Sequence, residues 1–147
     1  MVNTRPGGVL HIGSVAAVFV YVLVVELCEM YLVPFDGFVP EMENLGVLRL
    51  VLALIGLADL GIACVVLWRP LLVQSVGVAF LLAYAVLESP AVYGLALFLL
   101  GGRRLDFYPF AALSLVGLSV LWAQAGRWDE LTASERHDWE ETGAWYG

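Results

Sequence analysis

The chain contains no lysine, and its seven basic residues are all arginines, set against 14 acidic residues. The net charge of −7 makes a nucleic-acid partner improbable, because phosphate backbones are bound by an excess of basic side chains. Most of the excess acid lies near the C terminus, in Asp129, Glu130, Glu135, Asp138, Glu140 and Glu141. We therefore expect no binding to nucleic acid.

Histidine and cysteine are also scarce, with two of each. His11 and His137 lie far apart in sequence, so the paired histidines of b-type haem sites and the Glu-x-x-His pairs of di-iron bundles are missing. Cys28 and Cys64 lie in apolar runs, where a free thiol behaves as a small hydrophobic group. No phosphate-binding glycine loop or hydrolytic triad is visible. The sequence predicts no enzyme activity, no metal and no cofactor.

Long apolar runs dominate the rest of the chain, which is 61% hydrophobic with a mean hydropathy of +0.87. Each run can cross a hydrocarbon layer ~30 Å thick as a helix, the structure that leaves no backbone group unpaired in lipid. The connections are short, which favours antiparallel neighbours. We expect an all-α polytopic membrane protein with four transmembrane helices in two hairpins within residues 1–127. The predicted spans are about 9–33, 46–68, 71–100 and 107–125.

Two polar segments accompany these spans. The first loop, residues 34–44, contains proline, glycine and acidic residues, which predict an ordered turn at the interface. Residues 128–147 form an acidic tail whose Trp128, Trp139 and Trp145 are candidate interface residues. These tryptophans are suited to an aromatic belt on the membrane surface or to contact with a partner protein. Arginines are slightly more numerous on the side of both termini, which favours cytoplasmic termini in a cell-membrane protein.

Four acidic residues fall inside the predicted spans: Glu26, Glu29, Asp59 and Glu88. No basic residue is expected at a depth that would pair with them. A carboxyl group in hydrocarbon is costly and is usually kept for ion passage, a ligand or a polar contact. We expect these groups to be protonated, or to share protons or a cation. The structural alternative is a protonated acid that hydrogen-bonds across a helix interface.

A short internal similarity links the first and third spans. Residues 25–33 (VELCEMYLV) and 87–95 (LESPAVYGL) align without gaps, so that Glu26 matches Glu88 and Tyr31 matches Tyr93. Either a duplicated helical hairpin or chance explains the match.

The second and third spans, about residues 50–102, resemble the hairpin of the rotor-ring proteolipid, subunit c of rotary ATP synthases. Arg69 and Pro70 stand in the polar turn, Glu88 follows Pro70 by 18 residues, and LESPAVYGLALFLL is similar to the family's carboxylate-bearing helix. The resemblance implies that Glu88 is an ion-carrying carboxylate and that Pro90 and Tyr93 shape its pocket. The candidate ion-binding residues are Glu88, Glu26, Asp59 and Tyr93.

Two functions of different classes follow. The first is a small accessory or structural subunit of a larger energy-transducing membrane complex, with lipid and other membrane-protein subunits as partners. The alternative is a self-assembling, proteolipid-like protein that translocates protons or sodium ions, with Glu88 as the carrier. A hetero-oligomer is expected for the first and a homo-oligomer for the second. A lone enzyme or transporter is disfavoured, because no catalytic or cofactor motif is visible.

Overall fold

The computed structural model describes residues 6–32, 35–39, 43–68, 76–101, 103–124, 126–127 and 130. The described chain consists of four α helices and contains no strand. Each helix includes a segment that is long and apolar enough to cross a membrane. The predicted all-α, four-span fold is therefore confirmed. The helices are α1 (Pro6–Tyr31), α2 (Leu45–Trp68), α3 (Val76–Gly101) and α4 (Arg104–Ala123).

Helix α2 begins one residue before its predicted span, and α1 and α4 each begin three residues before theirs. The first helix starts at Pro6, because proline needs no hydrogen-bond acceptor at the first helical position. The fourth starts at Arg104, and Asp106 in its first turn interacts favourably with the positive end of the helix dipole. Apolarity marks the part of a helix that hydrocarbon can hold, whereas the helix itself continues into the polar interface. Residues 71–75 of the predicted third span lie outside the described residues.

The C-terminal ends of α1 and α3 meet the N-terminal ends of α2 and α4. Arg49 near the start of α2 contacts Asp106 of α4, and Arg104 contacts Glu29 near the end of α1. The segment 35–39 also lies at this end, which we call the loop end. The helices therefore alternate in direction, as short connections require.

Helices α3 and α4 each contact the other three helices, α3 does so more extensively, and the contact between α3 and α4 is the largest in the bundle. Two glycines allow this close approach. A Cβ atom at Gly94 would lie 2.8 Å from Phe110 Cβ, and one at Gly117 would lie 2.6 Å from Leu87 Cδ2. Small residues at a helix crossing bring two backbones together in membrane proteins. The largest fully buried apolar side chains around α3 and α4 are Phe98, Phe107, Leu97, Leu118 and Leu121.

Helices α1 and α2 are apolar on their outer faces as well. Phe19 of α1 and Leu57 of α2 are 60% and 66% exposed. Helices that are hydrophobic on every side belong in a large core or in a membrane. The outer faces of α1 and α2 therefore suit contact with lipid or with other membrane helices.

The segment 35–39 caps the C-terminal end of α3. The Phe38 N–H donates to Leu99 O at 2.7 Å, and the Val39 N–H donates to Leu100 O at 3.2 Å. Carbonyls in the last turn of a helix have no partner within that helix. Gly37 has φ +83° and lies directly against the Leu100 carbonyl, where a side chain would clash. The loop between α1 and α2 is thereby attached to α3.

Candidate functional site

Pro90 interrupts the backbone hydrogen bonding of α3 near its middle and is fully buried. Because proline has no N–H, the Val86 carbonyl loses the partner that an α helix would provide. Ser89 Oγ lies 2.8 Å from that carbonyl. From α4, Ser114 Oγ accepts the Ala91 N–H at 3.0 Å. Hydroxyl groups of the same and the neighbouring helix therefore satisfy the backbone around the proline.

Asp59, in the second half of α2, faces this part of α3. Its Oδ2 atom lies 2.6 Å from Ser89 Oγ and accepts a hydrogen bond from the Tyr93 hydroxyl at 2.9 Å. Ser89 and Tyr93 are four residues apart, so they share one face of α3. Two side-chain hydrogen bonds thus join α2 to α3 within their apolar spans.

Glu88 belongs to the same turn of α3 but contacts α1. Its Oε1 accepts a hydrogen bond from the Tyr21 hydroxyl at 3.2 Å. Consecutive helical residues point about 100° apart, so Glu88 and Ser89 face different neighbours. All four helices therefore contribute polar groups to one region. We call it the Pro90 centre and define it as Glu88, Ser89, Pro90 and Tyr93 of α3 with Tyr21, Asp59 and Ser114.

The position of Tyr93 differs from the one that the proteolipid resemblance implied. The resemblance places Tyr93 in the pocket of Glu88, whereas the structure has it donate to Asp59. Tyr93 follows Ser89 by four residues and Glu88 by five, and the four-residue spacing aligns it with Ser89 on the face towards α2. Three candidate ion-binding residues, Glu88, Asp59 and Tyr93, still come together in the Pro90 centre.

The fourth candidate, Glu26, lies in a different cluster at the loop end. Tyr108 of α4 donates a hydrogen bond to Glu26. Arg104 Nη2 lies 3.0 Å from Glu29 Oε2, and Arg104 Nη1 lies 3.9 Å from Glu26 Oε2. The expectation that Glu26 and Glu29 lack a basic partner was wrong, because α4 begins at Arg104 beside the last turns of α1. The Glu26 side chain is also 47% exposed and is not a buried carboxylate.

A second ion pair fixes α2 to α4 at the same end. Arg49 Nη2 lies 2.6 Å from Asp106 Oδ2. The Asp106 side chain is only 12% exposed, so the guanidinium points inwards to a partner instead of reaching outwards to the interface. Arginine suits this contact because its planar group remains charged and presents several donors.

An aromatic cluster lies at the end opposite the loop end. His11 of α1 stacks on Trp122 of α4 with ring centroids 4.6 Å apart, and the Tyr84 ring lies 6.1 Å from the His11 ring. Tyr84 is 3% exposed, and in the described part of the chain its hydroxyl and His11 Nδ1 have no hydrogen-bond partner. Polar groups of α1 therefore occur at three levels, which are this aromatic cluster, the Pro90 centre and the loop end.

The site includes residues that the sequence reasoning missed. Tyr21, Ser89 and Ser114 were not candidates, although each supplies a hydroxyl to a carboxyl or backbone group of the Pro90 centre. A serine next to a proline inside an apolar span was the available signal, because such a hydroxyl can bind the carbonyl that the proline leaves free. The candidate interface residues Trp128, Trp139 and Trp145 lie outside the described residues.

Among the described residues, no group of three or more histidine, cysteine, aspartate or glutamate side chains is arranged to hold a metal ion. Cys28 and Cys64 are free thiols on different helices. The groups that converge in the Pro90 centre are carboxyl, hydroxyl and backbone carbonyl oxygens. Oxygens of this kind can share protons or contribute to the binding of a hard cation.

Comparisons with protein-family models, with curated proteins and with solved structures find no match to this chain. The functional interpretation therefore rests on the chain's own sequence and on the geometry of its residues.

Proposed function

We propose that this protein is a small integral-membrane subunit that packs against other membrane-protein subunits of a larger complex. The resemblance of residues 50–102 to a rotor-ring hairpin favours a complex of the energy-transducing kind. The observation that carries the proposal is the uncovered outer face of α2. A Cβ atom added at Gly61 would meet nothing within 4 Å, and Ala58 and Cys64 beside it are exposed. Small residues on one exposed face of a membrane helix allow a second helix to approach closely.

The carboxyl groups within the bundle support the same structural role. Asp59 attaches α2 to α3, and Glu88 attaches α3 to α1. Along the inner face of α1, the fully buried Val18 and Val25 separate the polar levels from one another. The polar contacts thus form separate layers that hold four helices together.

Native mass spectrometry of the tagged protein, extracted gently from its own membrane, tests this function. We expect a stoichiometric set of other subunits. Gly61→Leu should remove them, because the larger side chain blocks helix approach. Gly126→Leu is the matched control, since Gly126 also has open space around it but lies beyond α4. A homo-oligomer without partners, or full retention of partners by Gly61→Leu, would contradict the proposal.

A second candidate is translocation of protons or sodium ions with Glu88 as the carrier. The Pro90 centre favours it, because a carboxyl group beside an interruption in a membrane helix is an arrangement that ion-handling proteins use. A hydrophobic carbodiimide should then modify Glu88, and sodium should suppress the reaction if sodium is the ion.

Glu88→Gln separates the two functions. As a carrier, the variant should fold but lose ion transport in vesicles, whereas a structural Glu88 should tolerate an amide that retains hydrogen-bonding atoms. Glu26→Gln is the control, because Glu26 lies outside the Pro90 centre. Unchanged transport in Glu88→Gln would leave only the structural role.

A further inference from the structure

We propose that Asp59 is a proton-binding site in which the carboxyl proton is donated to Ser89 and the Ser89 proton to the free carbonyl of Val86. The proposal goes beyond membership of a complex. It does not depend on ion transport by Glu88, which contacts a different helix.

The inference rests on the number of hydrogen atoms available between Asp59, Ser89 and the Val86 carbonyl. Ser89 Oγ has one hydrogen but lies within hydrogen-bond distance of two oxygens, Asp59 Oδ2 at 2.6 Å and Val86 O at 2.8 Å. Pro90 contributes no N–H to the Val86 carbonyl. A single hydrogen would have to be shared weakly between the two acceptors, whereas two full hydrogen bonds need a second hydrogen, and a carboxylic acid at Asp59 supplies it.

The protonated arrangement gives the Val86 carbonyl and the hydroxyl groups of Ser89 and Tyr93 a partner each. Asp59 donates to Ser89, Ser89 donates to the Val86 carbonyl, and Oδ2 of Asp59 still accepts the hydrogen bond from Tyr93. A carboxylate at Asp59 would instead compete with Val86 for the single hydrogen of Ser89. It would also place a negative charge within an apolar span, where charge is strongly disfavoured.

The surrounding charges do not oppose this arrangement. The described residues include no basic side chain in contact with Asp59. In the Pro90 centre the titratable groups of α3 are Tyr93, which donates to Asp59, and Glu88, which contacts Tyr21 of α1 instead. The Arg49–Asp106 pair, which joins α2 to α4, lies nearer the loop end.

Release of the proton would change the hydrogen bonding of α3. The Ser89 hydroxyl would turn from Val86 to the Asp59 carboxylate, and the Val86 carbonyl would lose its donor. The occupancy of one proton is therefore linked to the hydrogen bonding around Pro90 and to the contact between α2 and α3.

Infrared spectroscopy of the whole protein in lipid vesicles tests the proposal, with aspartate labelled by ¹³C at the side-chain carboxyl. We expect the stretching band of a protonated aspartic acid at neutral pH. Asp59→Asn should remove the band, whereas Asp106→Asn, which changes the ion-paired aspartate, should leave it. Absence of the labelled band at neutral pH, or its persistence in Asp59→Asn, would overturn the proposal.

Two further measurements keep the test decisive if Asp59→Asn fails to fold. Ser89→Ala should retain the band but shift its frequency, because the acid loses its acceptor. An unshifted band would show that Ser89 does not receive the proton and would overturn the arrangement. Sodium added to the unmodified protein at constant pH should leave the band in place, and its loss would identify the occupant as a cation instead.

Discussion

Carboxyl groups occur at two levels of this bundle and have different partners at each. In the Pro90 centre, Asp59 and Glu88 interact with hydroxyl groups of serine and tyrosine. At the loop end, Glu29 and Asp106 interact with arginines. A charged guanidinium is expensive in the middle of a membrane span and much less so at its end, where a long side chain reaches the interface. Among the described residues, arginine partners therefore lie at the loop end, where Glu26 also accepts from the Tyr108 hydroxyl, whereas the carboxyl groups of the Pro90 centre contact hydroxyl groups alone.

Asp59→Lys should lower the stability of the folded protein most, because it places a charge where the carboxyl groups contact only hydroxyl groups. A lysine at the centre of a span costs about 3 kcal/mol, and the substitution also removes the acceptor of Tyr93. We expect a sharp loss of folded protein in thermal unfolding monitored by size exclusion. Glu26→Lys, at the loop end, should cost less than about 1 kcal/mol. If Asp59→Lys and Glu26→Lys lost equal stability, the two levels of the bundle would not differ in their tolerance of charge.

Ser114→Ala should have the next largest effect on the free energy of unfolding. Ser114 is 1% exposed and accepts the Ala91 N–H, so its removal leaves a buried backbone donor without a partner. The expected loss is about 2 kcal/mol in the free energy of unfolding, measured by denaturant titration in detergent. Ser119→Ala is the control, because Ser119 is exposed and bonds only within its own helix. A loss no greater than that of the control would mean that α4 does not support the backbone beside the proline.

Ser89→Ala should destabilise the protein by about 1 kcal/mol, since the Val86 carbonyl loses its donor. Pro90→Ala restores a backbone N–H at the next position. The destabilisation by Ser89→Ala should therefore be smaller in the Pro90→Ala background, and a double-mutant cycle measures the coupling. Strict additivity would show that the hydroxyl does not replace the N–H that proline lacks.

Arg104→Gln should have the smallest effect on the free energy of unfolding, because the ion pairs of Arg104 are exposed to solvent screening. The loss should shrink as salt is added, since ions screen surface pairs. Arg103→Gln, at the neighbouring exposed position, is the control. An effect that does not change with salt would place Arg104 in a less exposed environment than its geometry indicates.

The fold was predictable from the sequence because hydropathy is a local property. Four runs of apolar residues specified four helices, and the differences at Pro6 and Arg104 amount to a few residues at the helix ends. The presence of carboxyl groups at Asp59 and Glu88 was equally visible, since a charge in an apolar run needs no tertiary information to be recognised.

The partners of those carboxyl groups were decided by the tertiary structure. The contact of Tyr93 with Asp59 depends on the rotation of α3 relative to α2, and the contact of Arg104 with Glu29 depends on how α4 lies beside α1. Spacing along one helix shows which residues share a face, but not which neighbouring helix that face meets. The sequence by itself therefore determined that this protein has four membrane-spanning helices with acids inside them. Helix packing determined which hydroxyl or arginine each acid meets, because such contacts join residues that are far apart in the chain.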